Sequence, residues 1–211
     1  LQILYEVHIV KSLQQNLPIH ILIKKISRDM GNIICAINMT IDGNFDHNQS
    51  LPDAHVHAHY TDLLKKGTTI LYGRKTYELM LYWKDALKNK NSDFESYAFA
   101  KTIHAIRKIV FSNTLHTTDW STAELASNTL LETVKKLKEE KDSLVYIGSR
   151  SLMIQLLALK LLDEIQLCIH PMVTPTRRLL FEGLEGQIVF KQKLIKTLPG
   201  GHIILSLRPI Y

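Results

Sequence analysis

Cysteine is scarce in this chain. Only Cys35 and Cys168 occur, each inside an apolar run and neither in a C-x-x-C pair. Two such thiols cannot build a four-cysteine zinc site; they read as buried thiols of a reducing compartment, so the expected location is cytoplasmic. Long apolar runs are missing as well. Leu152 to Leu162 is interrupted by Gln155 and Lys160, and Ile19 to Ile23 is short, whereas a membrane helix needs about 18 or more apolar residues. A spanning role is excluded. Internal repeats, low-complexity tracts and an interdomain linker are also lacking. Neither G-x-G-x-x-G nor G-x-x-x-x-G-K-S/T occurs, which removes the ordinary Rossmann fingerprint and P-loop hydrolysis of ATP or GTP.

What is there is ordinary globular material. The 211 residues are 45% apolar with a mean hydropathy of −0.02, which suits one domain with a sizeable core. A count of 26 Lys and Arg against 20 Asp and Glu gives a net charge of +6, a bias toward anionic partners. The basic residues are dispersed, and Lys135 to Lys141 (KKLKEEK) mixes both signs as a solvated helix face does. A phosphorylated small molecule fits this pattern better than nucleic acid. The partners expected are a small-molecule substrate and a second copy of the chain, with no nucleic acid and no membrane. Residues 1–29 carry no glycine, one proline and poor periodicity. They are expected to be an extension to a domain spanning 30–211, and they lack the small-residue cleavage site of a secretory signal.

From Ile33 the chain alternates short apolar runs with helical patterns, which predicts an α/β domain. Strands are expected at Ile33–Ile41, closed by Asp42-Gly43, and at Thr68–Tyr72, Lys108–Phe111, Thr122–Ala126, Leu144–Ile147 and Glu164–His170. Helices are expected at Asp53–Lys66, Gly73–Trp83, Ser92–Ala105, Thr129–Glu140 and Ser149–Leu162. Ile188–Thr197 and His202–Leu207 flank Leu198-Pro199-Gly200-Gly201, which reads as a hairpin. The architecture is a largely parallel sheet with helices on both faces and an antiparallel C-terminal edge.

In such sheets ligands bind at the carboxyl ends of strands, where helix N-termini offer free backbone donors to anions. Three strand ends carry suitable residues. In LYGRKTYE (Leu71–Glu78) Gly73 permits a tight turn, Arg74 and Lys75 bring charge and Thr76 a hydroxyl, a set suited to a pyrophosphate or 2′-phosphate. In VYIGSRSLM (Val145–Met153) Gly148 and Ser149 allow close approach, Ser149 or Ser151 can cap the helix, and Arg150 adds charge. FSNT (Phe111–Thr114) ends a strand in small polar residues.

In this order the segments resemble the dihydrofolate-reductase-like fold, most closely the reductase domain at the C-terminus of the bacterial bifunctional riboflavin-biosynthesis deaminase-reductase. The resemblance covers Met30 to Tyr211. It rests on INMTIDGNF, LYGRKTYE, VFSNTL, VYIGSRSLMIQLL and LLDEIQLCIHPMV followed by RRLLFEG. It implies a three-layer α/β sandwich and an NADPH-dependent reductase of a small heterocyclic substrate, of the 5-amino-6-(5-phosphoribosylamino)uracil type in riboflavin biosynthesis. Carried over, Arg74 and Thr76, with Gly73 and Lys75, would meet the adenosine phosphates, and Ser112 and Asn113 the 2′-phosphate end. Gly148, Ser149, Arg150, Ser151 and Leu152 would cradle the pyrophosphate, with allowance for a cis peptide at Gly148–Ser149. Cys35, Ala36 and Ile37 would line the nicotinamide through the backbone. Asp42 and Gly43 would lie on the loop over the active site, Asp42 as the candidate catalytic group.

The departures are informative. Folate-reducing members place an acid on the first helix, where this chain offers His57, so folate reduction is not expected. The zinc deaminase signature H-x-E with P-C-x-x-C is missing. Where the family is glycine-rich, this chain reads Thr174-Pro175-Thr176-Arg177-Arg178. His55, His57 and His59 would all align only on a strand; on a helix His57 points away from the other two, so no metal is expected. A non-catalytic nucleotide-binding protein of the same fold is the competing reading. A chain beginning at Met30 is expected to keep the Tm and the NADPH affinity of the full chain; unfolding on truncation would show that residues 1–29 pack on the core.

Overall fold

The computed structural model describes residues 30–47, 52–88 and 93–211; the expected extension 1–29 lies outside them. The chain runs β1 (Asn32–Thr40), α1 (Ala54–Leu64), β2 (Thr69–Gly73), α2 (Arg74–Ala86), α3 (Phe94–Ala105), β3 (Arg107–Phe111), β4 (Ala123–Leu125), α4 (Leu130–Glu139), β5 (Leu144–Ile147), α5 (Arg150–Ala158), β6 (Glu164–His170), β7 (Val189–Thr197) and β8 (Ile203–Ile210). The strands form an eight-stranded sheet in the order β4-β3-β2-β5-β1-β6-β8-β7. Every pairing from β4 to β6 is parallel, while β8 runs antiparallel to both β6 and β7.

Period-two alternation sends each strand's side chains into two separate cores. Ile33 and Cys35 of β1, Leu71 of β2 and Val145 and Ile147 of β5 pack with Val134 and Leu137 of α4 and Leu156 of α5. Ile70 and Tyr72 of β2, Val110 of β3 and Tyr146 of β5 face the other way, onto Tyr77 of α2 and Phe99 and Ile103 of α3. The central strands are therefore apolar on both sides, as buried parallel strands must be. The result is the three-layer α/β sandwich expected.

Local chemistry sets the ends of the elements. Asp53 caps α1 by accepting from the Val56 N–H at 2.9 Å, and Asp93 caps α3 by accepting from Ser96 at 2.9 Å. Thr129 and Glu132 close a capping box on α4. The helix expected over Ser149–Leu162 stops early, at Ala158. Lys160 takes a left-handed φ of 57°, and the Leu161 N–H turns back to the Leu156 carbonyl at 2.9 Å, the reversal that ends a helix even without glycine. The tail hairpin turns through Gly200 and Gly201, both at φ near +90° and +84°, a region that costs glycine nothing.

The Asp-Glu pair at the start of β6 is structural. Asp163 accepts from the Ile33 N–H at 2.8 Å and pairs with Lys138, while Glu164 pairs with Lys193 of β7. One dipeptide thus ties β6 to β1, α4 and the outer hairpin.

Lys108 of β3 is fully buried. Its ammonium donates to the Ile106 carbonyl at 2.7 Å and to Thr122 Oγ1 at 2.8 Å, and lies 4.1 Å from the centre of the Trp120 ring. Burial drives its pKa down to about 7 from 10.5. Between those values the unfolded chain holds a proton that the folded chain has released, so stability should rise as pH rises through that window. Urea unfolding at about pH 7 and about pH 9.5 should show that rise, and Lys108→Met should flatten it. An identical slope in the variant would assign the titration to another group.

Candidate active site

The carboxyl ends of β1, β2 and β5 open into a cleft of about 770 Å³. β1 brings Ala36, Ile37 and Asn38 to it and β5 brings Tyr146 and Ile147, with Gly148 following. The first turns of α2 and α5 add Lys75, Thr76, Arg150 and Ser151. Register explains the meeting. Ile147 pairs with Cys35 on one side and Leu71 on the other, so the next residues of all three strands emerge at one level.

Two helices start there without the caps found elsewhere. α2 begins at Gly73 and α5 at Ser149, neither makes a side-chain cap, and neither has an acidic residue in its first turn. The Ser149 hydroxyl, expected as a cap, instead accepts from the Gly73 N–H at 2.8 Å and joins the two strand-to-helix junctions. Their closeness shows again in the glycines. A Cβ on Gly73 would sit 3.3 Å from Ser151 Oγ, and one on Gly148 would sit 3.1 Å from the Tyr72 ring. Adjacent uncapped N-termini concentrate free N–H donors and two positive dipole ends, the arrangement that holds a polyanion.

The rim is built from two loops laced together. Asn44, almost fully buried, donates to the Thr176 carbonyl and to Thr174 Oγ1, each at 2.5 Å, and the Phe45 N–H meets the Arg178 carbonyl at 3.0 Å. The guanidinium groups of Arg150 and Arg178 both lie over the Phe45 ring, at 5.3 and 5.4 Å from its centre. Arg178 also pairs with Asp46 at 3.4 Å, and Arg150 donates to the carbonyls of Leu180 (2.9 Å) and Glu182. The Thr174–Arg178 stretch, where the sequence departs from the family pattern, is thus the fastening of the Asp42–His47 loop.

The opposite wall is aromatic. His57 of α1 stacks on Phe99 of α3 at 5.8 Å and meets Trp83 of α2 edge-on at 5.2 Å, while its Nδ1 lies 3.1 Å from Ser96 Oγ. Burial holds the His57 pKa below the usual imidazole value. Tyr60 donates to Asn38 Oδ1 at 2.9 Å, and all four of His57, Tyr60, Trp83 and Phe99 line the cleft.

Residues 32–204 match the family model for the RibD C-terminal domain. The chain belongs to that family. It is 36% identical over 145 residues to the uncharacterized protein YyaP of Bacillus subtilis (strain 168), a match covering 67% of this chain and 74% of that protein. Among solved structures it is similar to a pyrimidine reductase-like protein from Corynebacterium diphtheriae, with a TM-score of 0.57 and 12% identity over 95% of this chain and 98% of that one. It also resembles the Thermotoga maritima diaminohydroxyphosphoribosylaminopyrimidine deaminase/5-amino-6-(5-phosphoribosylamino)uracil reductase, with a TM-score of 0.58 and 17% identity. That match covers 86% of this chain and 57% of the Thermotoga chain, so the RibD-type domain here spans little more than half of the bifunctional protein.

Within this RibD C-terminal domain the sequence-derived residues fall into three groups. Ala36, Ile37, Lys75, Thr76, Gly148, Arg150 and Ser151 line the cleft. Gly73 and Ser149 stand just behind, joined to each other, and Leu152 packs in the core. The rest lie outside the cleft lining. Arg74 is exposed and pairs with Glu78 at 3.3 Å. Ser112 and Asn113 follow Phe111, the register partner of Gly73, and the Ser112 hydroxyl accepts from the N–H groups of Thr114 and Leu115. Asp42 is exposed in the turn before Gly43, where Thr40 donates to it and holds its carboxyl below the usual range. Cys35 is buried in the core, where burial pushes its thiol pKa up.

Three details are corrected. Gly73 has φ −79°, ordinary for any residue, so steric closeness to Ser151 rather than conformation favours glycine there. The Gly148–Ser149 peptide is trans. Ser149 bridges two junctions instead of capping its own helix. The α1 and α3 wall was not singled out as a whole, because its rings come from separate helices and sequence spacing does not reveal that they meet.

The bridging role changes what Ser149→Ala should do. Loss of a cap would be mild, but removing Ser149 Oγ strands the Gly73 N–H, which costs about 1–3 kcal/mol where water cannot replace it. Urea unfolding should show a loss of that size, with Ser149→Thr much closer to wild type; a loss below about 0.5 kcal/mol would mean the bridge contributes little.

Proposed function

We propose that this chain is an NADPH-dependent reductase of a small heterocyclic substrate, working in the reducing cytoplasm. The observation that carries the reading is the pair of uncapped helix N-termini at Gly73 and Ser149 opening on one cleft beside Lys75. Their N–H groups would receive the pyrophosphate, and Lys75 and Thr76 the adenosine phosphates. The backbone of Ala36 and Ile37 would lie against the nicotinamide. When bound, that group supplies a hydride to a neighbouring acceptor carbon. The chain's task is to hold the two partners in contact and keep water away, which the aromatic wall serves. The Thermotoga protein is named for a phosphoribosylaminouracil reductase activity, and the pyrimidine ring of that compound is the kind of heterocycle proposed here. The exposed Val189, Leu194 and Ile195 on the outer strand β7 support assembly as a homodimer. A binding protein that has lost turnover is the competing reading, and NADPH oxidation by any acceptor excludes it.

NADPH should bind more tightly than NADH. Lys75→Ala should weaken NADPH by about 10- to 100-fold, the worth of a charge-assisted phosphate contact. Arg74→Ala should change it less than about threefold, because Arg74 is exposed, does not line the cleft and is paired with Glu78. NADPH fluorescence titrations measure both; a larger loss in Arg74→Ala would move the phosphates to the outer face of α2.

A further inference from the structure

The wall opposite the helix N-termini says what kind of acceptor fits. α1 contributes Val56, His57, Tyr60, Leu63 and Leu64 to the cleft, and α3 contributes Phe99 and Ile103. None of these is a cation. Trp83 completes the surface, with its ring centre 4.7 Å from that of Phe99. The polar atoms on this side are few and neutral: the His57 imidazole, kept uncharged by burial, and the Asn38 amide, whose oxygen is already held by Tyr60.

The cations of the cleft are committed elsewhere. Arg150 is spent on the Leu180 and Glu182 carbonyls, and Arg178 on Asp46 and the face of Phe45. Lys75 stands in the first turn of α2, at the N-terminus assigned above to the cofactor. A phosphate placed against the α1–α3 wall would lose its hydration and gain no ion pair, and an unpaired buried charge is strongly disfavoured. A flat neutral ring would lose little and would gain edge and face contacts with Trp83, Phe99 and His57.

We propose that the acceptor site takes a planar, uncharged heteroaromatic compound carrying no phosphate, packed on Trp83 and Phe99 and hydrogen-bonded by His57 and Asn38. This rests on the reductase reading only in calling the occupant the acceptor. His57 Nδ1 is engaged with Ser96, so Nε2 is the nitrogen that meets the ligand; a carbonyl or ring nitrogen in the plane of the compound is its natural partner. The site thereby selects against the phosphoribosyl form of a pyrimidine.

The probes are quinazoline-2,4-dione, neutral and bicyclic, and uridine 5′-monophosphate, a pyrimidine with a phosphoribosyl group. The reporter is tryptophan fluorescence of the full chain. Trp83 lines the cleft while Trp120 is buried under Lys108, so Trp83→Phe identifies the signal. The dione should quench saturably, the quench should vanish in Trp83→Phe, and the nucleotide should need about tenfold or more higher concentration. Phe99→Leu should weaken the dione with NADPH affinity unchanged. Nucleotide binding equal to or tighter than that of the dione overturns the proposal, as does absence of saturable quenching by the dione. NADPH titration of the same protein keeps the two ideas apart. Loss of NADPH binding with the dione result intact removes the reductase reading and leaves the ring site; intact NADPH binding with a preference for the nucleotide removes only the ring site.

Discussion

β5 lies between β1 and β2, and the cleft depends on that placement more than on any single side chain. Ile147 is in register with Cys35 and Leu71 at once. Ala36, Tyr72 and Gly148 therefore follow side by side; β2 and β5 end there and lead directly into helices, while β1 runs on to Thr40 beside β6. Had β5 joined an edge, α2 and α5 would start far apart and their dipoles would face different solvent. In the centre, the junctions are near enough for one hydroxyl, that of Ser149, to satisfy the Gly73 N–H. A parallel sheet in this strand order brings two helix N-termini together as a consequence of topology.

Three ionisable side chains drawn into the fold are each anchored by specific partners. Lys108 meets carbonyl oxygens and an aromatic face; Asp163 meets a backbone N–H and Lys138; Glu164 meets Lys193. The bonds of Asp163 and Glu164 join elements distant in sequence, so they help select this strand order over its competitors, at a desolvation cost that apolar residues would not carry. His170 and His202 are different. They pack edge to face at 4.7 Å, and neither His170 ring nitrogen has a hydrogen-bond partner. Burial pushes the His170 pKa down to about 4, so His170 stays neutral and acts as packing between β6 and the hairpin turn, where His202 approaches the Asp53 cap of α1 at 3.6 Å.

Much of this was legible in the sequence, for physical reasons. Strand identities at Leu144–Ile147 and Glu164–His170 followed from short apolar runs between turn residues, and the structure has those same limits. The junctions at Gly73 and Gly148 were readable because strand, glycine and helix must follow one another closely there. What could not be read were events in which one residue answers a partner far along the chain. Ser149 looked like a cap because capping is local, whereas its partner lies 76 positions away. α5 was expected to run to Leu162 because its apolar pattern does; the left-handed turn at Lys160 carries no glycine to announce it. Arg74 and Lys75 are indistinguishable as charges, and only helical phase separates the one that lines the cleft from the one that pairs with Glu78.

The two sides of the cleft differ in the kind of order that they impose. On the α2–α5 side the donors are backbone N–H groups, fixed by helix geometry and already oriented before any ligand arrives, so little entropy is lost when a polyanion binds. On the α1–α3 side the surface is side-chain carbon from Tyr60, Trp83 and Phe99, held by mutual ring contacts and by the Ser96–His57 bond. The first surface reads charge and is indifferent to the rest of the molecule; the second reads shape and penalises charge. A ligand reaching across both must therefore be anionic at one end and flat and neutral at the other, or must be two molecules that meet between them at Ala36 and Ile37. The second arrangement leaves β1 backbone as the meeting surface: β1 pairs with β5 over Asn32–Cys35 and with β6 over Ile34–Thr40, so at Ala36 and Ile37 one edge is held by β6 and the other has, among the described residues, no strand beside it. The β6 ladder fixes that stretch of backbone from one side, so its other edge can meet a ligand with little ordering left to be done.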